Sequence, residues 1–195
     1  MPANGNGKDN QMSGAARKVT DRTDEIEVTR LGRNLSAEIG NLDLSQPLTN
    51  SEFAVVHGAF LENEVLVLRA QDITAHDQLT FGRMFGELSV HPFSPTLDGI
   101  PELIILDNHR DNPPHLTDRW HSDETFRETP PMATILRSTI TPRLGGDTMF
   151  ASMTAAFEGL NDEMQRLVSG LEGVFDFKPF RTLFGDDPDS KKRLR

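Results

Sequence analysis

Between Trp120 and Ala151 proline and glycine cut the chain twice, at Pro130-Pro131 and at Pro142-Arg143-Leu144-Gly145-Gly146. The pieces left, Trp120 to Phe126, Ala133 to Ile140 and Thr148 to Ala151, are too short for ordinary helices and of strand length. A proline has no N–H to give to a sheet ladder, so each cut falls where a strand must stop. This punctuation predicts a β meander through the middle of the chain and an α+β, mainly β fold.

The flanks carry other periods. Ile26 and Val28 alternate with charged residues, and Ala37, Ile39, Leu42 and Leu44 resume the alternation after a Gly-Arg-Asn turn, which predicts two short strands. Thr49 and Glu52 form a capping-box pattern ahead of Phe53, Val56 and Phe60, so a helix is expected over about 50–62. Val65 to Leu68 reads as a strand covered on both faces. Thr74 and Asp77 open a second helix bearing Leu79, Met84 and Phe85 that stops near Gly86. Leu103 to Leu106 reads as a buried strand, followed by a loop from Asp107 to Asp118 with Asn112-Pro113-Pro114 inside it. Helices are expected at about 152–159 and 161–169, then a last strand from Gly173 to Phe177.

Residues 1–24 are polar and glycine-rich, and ordering them would bury too little apolar surface to offset the lost chain entropy. They are expected to be a disordered tail before a single domain over 25–195. A formal net charge of -10 argues against nucleic acid as partner, because cationic contacts supply nearly all non-specific affinity for phosphate. No stretch approaches the roughly 18 consecutive apolar residues that a membrane helix needs, and no secretory signal opens the chain, so a cytoplasmic location and no membrane contact are expected. With no cysteine, any metal is held by nitrogen and oxygen.

The sharpest chemical signal is His121-Ser122-Asp123. On a strand, residues i and i+2 share a face, so the imidazole and the carboxylate can converge on one ion. Nitrogen and carboxylate donors without sulfur suit a hard or borderline divalent metal, and a two-histidine, one-carboxylate face is the arrangement of non-haem iron(II) oxygenases. Taken alone, His-x-Asp is short and common, and an ordinary surface pair fits it as well. The same holds for Thr148 as a plain strand residue and for His91 as a plain loop residue.

The surroundings decide. Trp120-His121-Ser122-Asp123-Glu124-Thr125-Phe126, Glu128-Thr129-Pro130-Pro131 and Gly145-Gly146-Asp147-Thr148 together resemble the taurine dioxygenase family of iron(II)- and 2-oxoglutarate-dependent dioxygenases. Phe85-Gly86-Glu87-Leu88, His91-Pro92 and Leu106-Asp107 add to the likeness, which runs over about 25–180. The resemblance implies a double-stranded β-helix, the cupin-like jelly roll, with flanking helices. It makes His121 and Asp123 two of three iron ligands, Thr148 a binder of the distal carboxylate of 2-oxoglutarate, and His91 a contact to the substrate. The implied reaction hydroxylates a small organic anion with O2, releasing succinate and CO2. The oligomeric state stays open, a homo-oligomer of the complete protein included.

Two departures bear on substrate. Ser94 stands where the taurine enzyme has a tyrosine and Thr117 where it has an asparagine, so a different or less polar substrate than taurine is expected. The family's second ligand histidine and its 2-oxoglutarate arginine have no match here, and the chain reads as a C-terminally truncated, incomplete jelly roll. A non-catalytic fragment is therefore the alternative to a working dioxygenase; a metal hydrolase is weaker, since no nucleophile motif accompanies His121. Trp120 is expected to pack in the core on the face opposite His121, and Lys191 to Arg195 to be a solvated helix start.

Overall fold

The structure, a computed structural model, describes residues 21–91, 94, 96–107 and 119–175. Two strands form where the alternation predicts them. β1 (Glu27–Arg30) pairs antiparallel with β2 (Ala37–Gly40), with Val28 opposite Ile39. β2 alternates buried with half-buried residues, whereas every residue of β1, Val28 included, is exposed. From β2 the chain runs through α1 (Asn50–Asn63) to β3 (Leu66–Val67), which lies parallel to β2 with Ala37 opposite Leu66. A helix between parallel strands covers one face of the sheet, and that is where the core forms.

α1 starts where its cap dictates. The Thr49 hydroxyl accepts from the Glu52 amide at 3.1 Å and the Glu52 carboxylate accepts from the Thr49 amide at 2.7 Å. Glu52 is fully buried, yet its other oxygen accepts from the Arg22 amide at 3.0 Å and from Arg22 Nε at 2.9 Å. Burial alone raises the pKa of this carboxyl, but the donors from Thr49 and Arg22 together outweigh it and hold it below the usual glutamate range. Most of the polar tail lies outside the described residues. Its end is held: Arg22 grips Glu52, and Thr23–Glu25 form one 3-10 turn.

Ile39, Leu42, Leu44, Val56, Ala59, Ile73 and Phe81 form one buried cluster, joined at its edge by Ile26, Leu48, Leu66, Leu68 and Phe85. Phe85 meets the rings of Phe53, Phe60 and Phe81 edge-on, with centroids 4.9, 6.0 and 5.4 Å away. Phe81 comes from α2 (Ala75–Arg83), whose capping box between Thr74 and Asp77 is complete. Residues 65–68 are half-buried rather than covered on both faces.

Beyond α2 the expected sheet is largely missing. A hairpin joins β4 (Thr96–Leu97) to β5 (Ile100–Ile104), with Gly99 in the left-handed region at its turn (φ 77°). The apolar run ending at Leu106 lies on an exposed edge, not in a buried strand. The meander is not formed: among the described residues 120–126, 133–140 and 148–151 join no sheet, and 173–175 is irregular, with Phe177 outside the described residues. A strand is stable only when a partner takes up its N–H and C=O groups, and among the described residues no strand lies alongside these segments. α3 (Met153–Glu158) and α4 (Asp162–Val168) do form, capped by Ser152 and Asn161, but neither buries a residue. The described residues therefore mix α and β without closing a double-stranded β-helix. Among them no helix is long and apolar enough to cross a membrane.

Candidate metal and substrate site

The two candidate metal ligands meet, though not for the reason expected. Residues 120–126 are an irregular stretch running into a turn, with Glu124 in the left-handed region (φ 48°). Strand alternation is absent, and local hydrogen bonds do the aligning instead. His121 Nδ1 donates to the Arg119 carbonyl at 2.8 Å, so the tautomer with its proton on Nδ1 turns the Nε2 lone pair outward. Asp123 Oδ2 accepts from the Thr134 hydroxyl at 2.8 Å. The remaining atoms, His121 Nε2 and Asp123 Oδ1, stand 3.4 Å apart.

That arrangement fits a divalent cation. Two donors each about 2.1 Å from an ion and about 90–110° apart are separated by about 3.0–3.4 Å. Metal-binding histidines commonly give their second N–H to a carbonyl, as His121 does, and metal-binding carboxylates are commonly hydrogen-bonded on the far oxygen, as Asp123 is. Both side chains are half exposed, at 54% and 51%, so a cation reaches them from solvent. Among the described residues no third histidine or carboxylate joins them in a cluster able to hold a metal.

His91 lies close enough to feel the same charges. Burial pushes its pKa below the usual histidine value; the Glu124 carboxylate opposes that, the Arg127 guanidinium reinforces it, and Asp123 opposes it more weakly. The Ser94 amide donates to His91 Nδ1 at 3.0 Å, so the neutral ring carries its proton on Nε2. At position 94 the backbone, not the side chain, makes this contact.

Thr148 sits in an exposed irregular segment and hydrogen-bonds to none of His91, His121 or Asp123 among the described residues. Trp120 is 68% exposed, so core packing is not its role: with no strand there is no opposite face to bury it. Thr117, His109, His115 and Lys191 to Arg195 lie outside the described residues. Sequence reasoning missed Thr134, whose contact with Asp123 spans eleven positions and leaves no local pattern. It also missed Glu124 and Arg127, for which opposite charges at i and i+3 were the available signal.

Comparison with known proteins gives the chain its family. The model of the taurine catabolism dioxygenase TauD, TfdA family matches residues 27–194. An alpha-ketoglutarate-dependent sulfate ester dioxygenase of Pseudomonas putida is 32% identical over 164 residues, 84% of this chain and 54% of that protein. A crystal structure of a taurine dioxygenase from Burkholderia xenovorans superposes with a TM-score of 0.66 at 32% identity, covering 74% of this chain and 51% of that one. A structure of AAD-2 in complex with Mn(II) and N-oxalylglycine superposes with a TM-score of 0.57 at 26% identity, covering 82% and 63%. The chain belongs to the TauD, TfdA family. It spans about half the length of the sulfate ester dioxygenase, 54%.

Proposed function

We propose that residues 25–195 are part of a jelly-roll dioxygenase domain that uses iron(II) and 2-oxoglutarate to hydroxylate a small organic anion, a sulfonate, sulfate ester or related compound, releasing succinate and CO2. The observation that carries this reading is the 3.4 Å approach of His121 Nε2 to Asp123 Oδ1, with both outer atoms already engaged. His121 and Asp123 hold the iron, and the third ligand comes from outside the described residues. When bound, the iron supplies the redox chemistry that couples decarboxylation of 2-oxoglutarate to hydroxylation. Thr148 offers a hydroxyl to the distal carboxylate of 2-oxoglutarate, donating to an anion without adding charge. His91 contacts the substrate, its ring positioned by the Ser94 amide on Nδ1.

Support for the co-substrate comes from the relatives. N-oxalylglycine, held with Mn(II) by AAD-2, has the skeleton of 2-oxoglutarate with N–H in place of a methylene. Support for the substrate class comes from the sulfate ester and taurine enzymes. Anaerobic addition of iron(II) and 2-oxoglutarate tests the reading: a visible charge-transfer band that His121→Ala removes is expected. No band at saturating ligand would favour the second reading, a family scaffold without a working metal centre.

A further inference from the structure

The turn that carries Asp123 is tied to the segment that carries His91 by the side chain of Arg127. Arg127 Nε donates to the Glu124 carboxylate, and a second guanidinium nitrogen donates to the Val90 carbonyl at 3.0 Å, across thirty-seven positions of sequence. The Arg127 amide closes the turn on the Glu124 carbonyl at 3.0 Å, and its guanidinium carbon lies 5.9 Å from the centre of the Phe126 ring. Glu124 adopts a positive φ that costs a non-glycine residue energy, yet its carboxylate is largely buried against the arginine. The planar guanidinium offers donors in a fixed fork, so it serves a carboxylate and a carbonyl in different directions at once, as an ammonium does not.

We infer that Arg127 is a positioning residue: it bridges the Asp123 turn to the backbone at Val90 and so sets the offset between His91 and the His121–Asp123 pair. The inference deepens the proposed function and rests on its assignment of those residues. A 1 Å error in such an offset lowers the rate of an oriented reaction by about a hundredfold, so a dedicated tether has a clear use. The bland alternative is that Arg127 stabilises only its own turn through Glu124.

Three variants of the chain separate the two. Arg127→Met keeps the apolar stem and removes both sets of donors; Arg127→Ala removes the stem as well. The double variant Glu124→Arg with Arg127→Glu keeps opposite charges at i and i+3, but a carboxylate at 127 cannot donate to the Val90 carbonyl. Two signals are read by NMR: exchange of the Ser94 amide, which reports its bond to His91, and broadening of the His91 ring resonances by Mn(II), which reports the metal-to-His91 offset. All three variants are expected to speed Ser94 exchange about tenfold, the loss of one hydrogen bond to a charged group, while α1 amides such as Val56 exchange as before. With Mn(II) bound, they are expected to change His91 broadening at unchanged Mn(II) affinity. Wild-type exchange and broadening in the double variant, or in Arg127→Met, would overturn the tether. Failure of the parent chain to bind Mn(II) at all counts against the metal assignment instead, and Ser94 exchange then decides the tether by itself.

Discussion

Residues 37–85 and residues 119–175 are similarly rich in apolar side chains but use them differently. In the first stretch Ile39, Leu42, Val56 and Phe81 vanish into one cluster. In the second Ile140 is 88% and Leu144 94% exposed, and α3 and α4 bury nothing. Both stretches hold well-capped helices, so local signals are not what separates them. The difference lies in strand pairing. β2 finds β1 on one side and β3 on the other within its own neighbourhood of the chain, whereas among the described residues the strand-length segments after Trp120 find no partner. A few contacts do moor the second stretch to the first: the Ser152 hydroxyl donates to Glu64 at 2.9 Å, and Gln78 Nε2 donates to the Ile135 carbonyl at 3.3 Å.

Substitutions can break or sharpen this contrast. The largest effect is expected at Glu52→Ala, which strands the Thr49 amide and the Arg22 guanidinium beside a hole in the packed region. Breaking a buried ion pair should lower stability by about 3 kcal/mol, read from urea denaturation. Acid should reproduce part of that loss. Because the Glu52 pKa is lowered in the fold, its contribution is complete above the ordinary glutamate value of about 4.3 and falls away as pH drops through the lower folded value. Denaturation midpoints below pH 4 should therefore fall less steeply in Glu52→Gln, and an unchanged slope would remove Glu52 from this role.

Smaller effects compare like with like across the two stretches. Thr49→Ala, at the head of a packed helix, should cost about 1 kcal/mol, and Asn161→Ala, at the head of an exposed one, about 0.5 kcal/mol or less. Equal losses would mean that α4 is held more firmly than its exposure indicates. Smallest of all, His121→Ala should change metal-free stability by no more than about 0.5 kcal/mol, since the ring is half exposed and bonded only locally. The same variant should abolish Mn(II) binding by titration, so one residue would separate function from folding.

The sequence was most legible where the deciding forces are local. Both capping boxes, the starts of all four helices and the places of β1 and β2 follow from residues within a few positions of one another. At the site, His121 and Asp123 are legible as a pair, but their i, i+2 spacing points to a strand that does not form. Their approach comes instead from a carbonyl two residues back and a hydroxyl eleven residues on. Trp120 was misread for the same reason, because a face was assigned to a strand that is not there.

By itself, the sequence determined the donor chemistry, nitrogen and oxygen without sulfur, along with the helix starts and the family likeness. Those depend on side-chain identity and near neighbours. Only the tertiary structure decided that Arg22 neutralises a buried Glu52, that Thr134 orients Asp123, and that Arg127 reaches Val90. Each is a directional bond between residues far apart along the chain, and periodicity carries no trace of which distant donor meets which acceptor.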